Sequence, residues 1–182
     1  PYLEPTTENP YLTDFYGDMQ RFGFHSQIFF LSHRLQQHFE LSRSQSSVIQ
    51  DRSVYENAEV FARNLFDRGI MSSRDFATYT RLYETLIALL PPPQLIVYLR
   101  ASVPVLVDRI KNRGRDFESA IDVSYLTELN ALYDCWAQNT KVAPVLTVAT
   151  DTINFAEDDG AVTTLAENIK TMLHLTTLPL PV

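Results

Sequence analysis

An acid and a guanidinium stand side by side in Asp51-Arg52-Ser53, directly after the apolar segment Ser47-Val48-Ile49-Gln50. If that segment is a strand, the pair sits at a strand's carboxyl end, where open α/β sheets bind their ligands. There, Asp51 could hold Mg²⁺, directly or through water, and Arg52 a phosphate. The plainer alternative is a helix cap at Ser53 beside a surface ion pair. A second group is Arg109-Ile110-Lys111-Asn112-Arg113-Gly114-Arg115. Arg109 and Arg113 lie one helical turn apart, and Gly114 permits the chain to break and fold over. Clustered arginine forks suit a lid closing on polyphosphate. A solvated helix end whose cations favour the dipole is the alternative.

Other candidates are single residues. Glu4, between Leu3 and Pro5, could take a proton from a substrate hydroxyl during phosphoryl transfer, or be a surface acid at a strand end. Gln27 and Arg34 share one face of a helical pattern and could read the edge of a base, with buried polar structure as the alternative. Tyr16, Phe24 and Phe61 could stack on a base or serve as core and rim aromatics.

The elements that must position these residues follow from apolar periodicity. Strand character appears at Tyr2-Leu3, at 47–50, at Leu95-Ile96-Val97-Tyr98-Leu99 and at Val145-Leu146-Thr147-Val148. Three of these are continuous rather than alternating, as expected for strands buried on both faces of a parallel sheet. Helical patterns span 19–39, then Val60 to Phe66 with Gly69 as a C-terminal cap, then 75–90, stopped by Pro91-Pro92-Pro93. Pro104 suits a first helical turn, and further helices carry Tyr125 to Trp136 and Val162 to Leu173. Strands alternating with helices predict an α/β fold with a mainly parallel sheet.

Composition bounds the function. With 182 residues and 45% apolar content, the chain can bury a core and is expected to form one domain, 1–182. A net charge of −7 argues against broad binding to nucleic acid or to an anionic membrane. A single cysteine, Cys135, excludes an intramolecular disulfide framework, and the scattered histidines lack zinc-ligand spacing. No apolar run approaches the ~20 residues of a membrane span. The expectation is an acidic cytoplasmic domain.

The order and spacing of these groups resemble the deoxynucleoside kinase family. The resemblance rests on Glu4-Pro5, Tyr16, Phe24-His25-Ser26-Gln27 running into Ser32-His33-Arg34, and Asp51-Arg52-Ser53-Val54-Tyr55. It continues through Tyr98-Leu99-Arg100-Ala101 and Arg109-(x3)-Arg113-Gly114-Arg115-(x2)-Glu118, covering nearly the whole chain. Leu90-Pro91-Pro92-Pro93 and Gly69-Ile70-Met71-Ser72 are similar to the bacterial deoxyguanosine/deoxyadenosine kinase branch. The resemblance implies a three-layer, P-loop-kinase-like sandwich with helices on both faces and an arginine-rich lid. It implies 5′-phosphorylation of a deoxynucleoside, a purine favoured, with ATP as donor and Mg²⁺ as cofactor. Glu4 would be the general base, Arg52 would stabilise the transferring phosphoryl group, and Asp51 would help hold Mg²⁺. Tyr16 and Glu118 would bind the 3′-hydroxyl, Gln27 the base, and Phe61 would stack on it with Arg34 at its edge. Arg109, Arg113 and Arg115 would form the lid. A homodimer built through long helices is also implied, and the helix over 19–39 could supply the face.

Two features depart from the family pattern. The family's Gly-x-x-x-x-Gly-Lys-Ser/Thr loop, upstream of the Glu-Pro strand, is not in the sequence. The expectation is that these residues alone are inactive and that upstream residues complete the enzyme. Asn57 stands where these kinases often carry an Asp that pairs with the arginine matching Arg34, which opens the base preference. A non-catalytic binding or assembly subunit and a nucleoside monophosphate kinase are the alternatives.

Overall fold

The computed structural model describes residues 9–115 and 121–177. The strand expected at Tyr2-Leu3, the candidates Glu4 and Glu118, and the tail from Leu178 lie outside the described residues. The elements run α1 (Leu12–Gly17), α2 (Met19–Ser42), α3 (Val54–Glu56), a π-helical turn (Asn57–Ala62), α4 (Arg63–Asp67) and α5 (Ser73–Ile87). Then come β1 (Ile96–Arg100), α6 (Val103–Arg113), α7 (Val123–Asn139), β2 (Val145–Ala149) and α8 (Asp159–Thr177). The strands β1 and β2 pair in parallel, Ile96 opposite Val145 through Arg100 opposite Ala149, and make a two-stranded sheet among the described residues. The fold is α/β, as expected, but mostly helical.

Local chemistry sets most helix ends. Asp18 caps α2 by accepting from the Arg21 N–H at 3.1 Å. Ser53 and Glu56 form a reciprocal capping box at α3. Ser72 caps α5 by accepting from the Asp75 N–H at 3.1 Å, and Asp122 caps α7 by accepting from the Ser124 N–H at 2.9 Å. Gly114 ends α6 in the left-handed conformation. The run 54–67 ends in a Schellman motif. The Gly69 N–H donates to the Phe66 carbonyl, and the Ile70 N–H to that of Leu65. Ile70 and Leu65 then pack against Gly23 of α2, where an added Cβ would meet Ile70 Cγ2 at 3.1 Å.

The core lies where α2 meets the π turn, α3 and α5, and where α7 meets the π turn. Leu31, Val54, Val60 and Leu65 are fully buried there. Phe66 stacks on Phe76 at 4.4 Å, joining α4 to α5.

Two expectations need correction. The strand expected at 47–50 is reduced to one bridging residue, Gln50, with Val48 and Ile49 exposed. Strand propensity reports packing against neighbours, and among the described residues this segment finds almost none. Nor are β1 and β2 buried on both faces: Leu99 and Arg100 are exposed, as are Thr147 and Ala149. A continuous apolar run thus marked the strands correctly but overstated their cover. The helix expected around Val60 to Phe66 begins earlier, at Val54.

Gly69 has φ +70°, with no atom near enough to clash with a side chain, whereas Gly17 has neither constraint. Gly69→Ala should therefore destabilise by roughly 1 kcal/mol through the left-handed backbone alone. Gly17→Ala should stay within about 0.5 kcal/mol of the parent or exceed it, given alanine's helix propensity. Urea midpoints for the two variants decide the matter; equal midpoints would refute the backbone explanation.

Candidate active site

Helix α2 buries an unusual stripe. Gly23, Ser26, Gln27, Phe30, Leu31, Arg34 and His38 face inward at helical spacing, and several are polar. Gln27 is 4% exposed and Arg34 1%, so the expected sharing of one face holds. Three of the polar groups hydrogen-bond to residues outside the helix. Ser26 Oγ accepts from Asn9 Nδ2 at 3.2 Å. His38 Nε2 donates to the Pro91 carbonyl at 2.7 Å. Gln27 Oε1 accepts from Asn57 Nδ2 at 3.4 Å, and the same nitrogen donates to Tyr79 Oη at 2.9 Å. The Arg34 guanidinium packs over the Phe30 ring at 5.6 Å.

Asn57 and Phe61 both lie on the π-helical turn. Such turns insert an extra residue into a helix and recur at functional sites. Here the turn buries Asn57, 2% exposed, against Gln27 and Tyr79, and leaves Phe61 half-buried. Burial raises the Tyr79 hydroxyl pKa far above its ordinary value, against the smaller opposing effects of the Asn57 hydrogen bond and the Arg34 charge. Tyr79 is thus a neutral hydroxyl, able both to donate and to accept.

Arg52 is the one non-glycine residue with positive φ, +61°, among the described residues. A strained backbone of this kind clusters at functional sites. Its guanidinium carbon lies 4.8 Å from the Phe61 ring centroid. Phe61 meets Tyr133 edge-on at 5.8 Å, and Tyr133 stacks on Tyr98 of β1 at 5.9 Å. Tyr98 Oη donates to Asp134 Oδ1 at 3.0 Å, and Arg100 forks onto the same carboxylate at 2.8 and 2.7 Å. That fork, and the Tyr98 hydrogen bond after it, hold the Asp134 carboxyl below the usual range. Tyr125 of α7 is buried, and burial raises its hydroxyl pKa, as Tyr16 also does, while Arg52 and Arg68 act against the rise. Tyr16, Arg52, Phe61 and Tyr125 therefore border one region, and Gln27, Arg34, Asn57 and Tyr79 another joined to it by the π turn.

The arginines expected to form a lid have different surroundings. Arg109 is anchored: Nη1 donates to Thr150 Oγ1 at 3.1 Å, and Nη2 to the carbonyls of Thr150 and, at 3.0 Å, Ile153. Thr150 in turn donates to the Arg100 carbonyl, which locks the carboxyl ends of β1 and β2 together. A cleft of about 460 Å³ opens at those ends, lined by Val105, Arg109 and Asn112 of α6 and by Asp151, Thr152, Ile153 and Asn154. Arg113 closes α6 and Arg115 follows its glycine cap. Asp51 is exposed, and Ser53 caps α3, as the plainer sequence alternative held. Among the described residues no three His, Cys, Asp or Glu side chains converge as a metal site, and no helix is long and apolar enough to cross a membrane.

Sequence reasoning passed over Asn9, Tyr79 and Thr150, all buried, and met Ser26 only as part of the motif around Gln27. Tyr79 carried the one usable signal, since it and Tyr83 sit a helical turn apart on the inward face of α5.

A family model described as "Deoxynucleoside kinase" matches residues 2–174. A deoxyadenosine/deoxycytidine kinase of Bacillus subtilis (strain 168) is 32% identical over 174 residues, 94% of this chain and 80% of the relative. A deoxyguanosine kinase of the same organism is 33% identical over 180 residues, 93% of this chain and 83% of the relative. The solved structure of a deoxyadenosine kinase from M. mycoides, with products dCMP and a flexible dCDP bound, superposes with a TM-score of 0.76. It is 30% identical and covers 95% of this chain and 86% of its own.

The left-handed backbone at Arg52 has a measurable consequence. Arg52→Ala and Arg52→Gly lose the same side chain, but only alanine carries a Cβ into that conformation. Arg52→Gly should be the more stable of the two by roughly 1 kcal/mol in thermal or urea unfolding. Equal stabilities would mean that the backbone relaxes once the guanidinium is gone.

Proposed function

The chain belongs to the deoxynucleoside kinase family, and on that premise we propose that it phosphorylates the 5′-hydroxyl of a deoxynucleoside, a purine favoured, with ATP as donor. The observation that carries this reading is the meeting of buried Gln27 and Asn57 beside Arg52 and Phe61, a neutral edge-reading group next to a cation. In this reading the three-layer P-loop-kinase arrangement forms around β1 and β2, and 1–182 works as one domain. Both of the relatives named above act on a purine deoxynucleoside by name, and one of them on deoxycytidine as well, so the purine part of the reading rests on what they share.

In the reaction, the 5′-oxygen forms a bond to the γ-phosphorus as the bond to the β–γ bridging oxygen breaks, and Glu4 takes the hydroxyl proton. Arg52 offers its fork to the transferring phosphoryl group. Tyr16 and Glu118 hold the 3′-hydroxyl, Gln27 and Asn57 the base edge, Phe61 its face, and Arg34 lies at its rim. Arg109 is the fixed root of the lid, and Arg113 and Arg115 close over the donor phosphates.

The donor set suits Mg²⁺, which takes one or two carboxylates and completes its shell with waters and substrate phosphates. Asp51, exposed beside Arg52, is the carboxylate available among the described residues of that edge. Bound there, Mg²⁺ supplies neutralisation of the phosphate charge. The outward face of α2, with half-buried Phe29 and exposed Phe39, would serve a homodimer, and such a kinase would work in the cytoplasm.

The test is phosphate transfer from ATP with Mg²⁺ to deoxyadenosine and deoxyguanosine, followed by chromatography of the monophosphate. Binding without turnover would mark a non-catalytic relative, and turnover of monophosphates a nucleoside monophosphate kinase. Glu4→Gln should lower kcat by about 100-fold or more, the contribution of general base catalysis, with nucleoside affinity little changed. Turnover at the parent rate would remove Glu4 as the base.

A further inference from the structure

The loop that follows β2 is stitched to α6 at two levels. At the first, Asp151 Oδ1 accepts from the Ser102 N–H at 2.7 Å, where the helix begins. At the second, two turns further on, Arg109 reaches back. Its Nη1 donates to Thr150 Oγ1 at 3.1 Å, and its Nη2 to the carbonyls of Thr150 and, at 3.0 Å, Ile153. Those two carbonyls belong to one turn, because the Ile153 N–H also donates to the Thr150 carbonyl at 3.2 Å. Arg109 therefore holds the shape of the turn as well as its place. Ser102, Val105, Arg109 and Asn112 recur at helical spacing along one stripe. The last three of them line the cleft of about 460 Å³, and the turn lines its other side.

Thr150 is the pivot of this arrangement. It is 1% exposed, and its hydroxyl has two partners, donating to the Arg100 carbonyl at 3.0 Å while accepting from Arg109. Only a group that both donates and accepts can make that pair of bonds. Arg109 itself is exposed, so these oxygens, more than packing, set where its guanidinium rests. With both terminal nitrogens committed to protein oxygens, Arg109 is a wall of the cleft and not a cation that closes over phosphate.

We propose that Thr150 is a positioning residue for the phosphate donor: its hydroxyl fixes Arg109 as a preformed wall of the cleft, so donor affinity depends on Thr150 through Arg109. The proposal rests on the kinase reading, which places ATP beside Arg113 and Arg115. It rests also on the cleft's position at the carboxyl ends of parallel strands, where open sheets bind their ligands. A wall fixed in advance spares the cost of ordering a long arginine side chain when the donor binds. The nucleoside, in the same reading, is held by other elements, α2 and the π turn, and its affinity serves as the internal control.

Steady-state kinetics of the full chain, with ATP and deoxyadenosine varied in turn, tests this. Thr150→Val should raise the KM for ATP by about tenfold, the scale of one hydrogen bond to a charged group. The KM for deoxyadenosine and kcat should stay at the parent values. Thr150→Ser keeps the hydroxyl and should keep the parent KM for ATP. Arg109→Lys, whose ammonium cannot span the oxygens of the turn, should also raise the KM for ATP. Adding Thr150→Val to it should cost nothing further, because the hydroxyl acts through the guanidinium. A parent KM for ATP in Thr150→Val, equal rises in both KM values, or losses that multiply in the double variant overturn the proposal and leave the kinase reading intact. Should Thr150→Val not fold, Arg109→Lys at its exposed position decides: a raised KM for ATP alone sustains the proposal, and a parent value overturns it. No turnover of deoxyadenosine or deoxyguanosine by the unsubstituted protein overturns the kinase reading, and this proposal with it.

Discussion

A polar side chain is tolerated inside a helical core only when its hydrogen-bonding groups are met, and α2 turns Ser26, Gln27, Arg34 and His38 inward. Much of the packing answers that demand. Asn9 at the entry to α1 meets Ser26, the loop after α5 gives the Pro91 carbonyl to His38, and the π turn gives Asn57 to Gln27. Three segments distant in sequence are thereby keyed to one helix at set heights. An apolar stripe would bury as much surface but would tolerate sliding. Leaving one such buried group unmatched costs about 1–3 kcal/mol, enough to penalise a shifted register.

Regular helix geometry is abandoned at two neighbouring places, and both bear on the site. Arg52 adopts φ +61° immediately before the capping box, and the π turn begins after one turn of α3. Between them Ser53 and Glu56 satisfy the helix start, so the irregular residues flank a well-capped turn rather than a frayed one. The consequence is that the Arg52 side chain and the Phe61 ring, nine positions apart, meet face on. Strain held by a good cap is a reason for an arginine to occupy a position that glycine would fill at lower cost.

Much of the fold was legible because it obeys short-range rules. The helical repeat and its stops revealed α2, α5, α7 and α8, the continuous apolar runs revealed β1 and β2, and Gly69 announced the end of α4. Gln27 and Arg34 could be placed on one face from their spacing, and both are buried. What escaped depended on long-range contacts. The run at 47–50 has strand composition, yet only Gln50 bridges, since composition cannot supply a neighbour and among the described residues this run meets almost none. The π turn leaves no repeat of its own in six residues, Asn57–Ala62. Tyr79 drew no notice in the sequence because only the fold sets Asn57 beside its hydroxyl, and nothing in the spacing of Arg109 announced its anchorage on Thr150 and Ile153.

The distribution of charge across the site has its own physical logic. At the buried end, where the low effective dielectric makes an unmatched charge expensive, the side chains of Gln27, Asn57 and Tyr79 are neutral and bond one another. At the exposed end stand Asp51 and Arg52, and beyond the carboxyl ends of β1 and β2 stand Arg113 and Arg115, the last half-exposed. There water lowers the cost of holding a charge. A chain of net charge −7 gathers cations at these edges while its surface as a whole repels polyanions. In the kinase reading, recognition of a base and attraction of a phosphate would be kept in different dielectric surroundings, and the run 53–67 joins the two. An asparagine suits the buried side of that boundary because it hydrogen-bonds both Gln27 and Tyr79 without adding a charge.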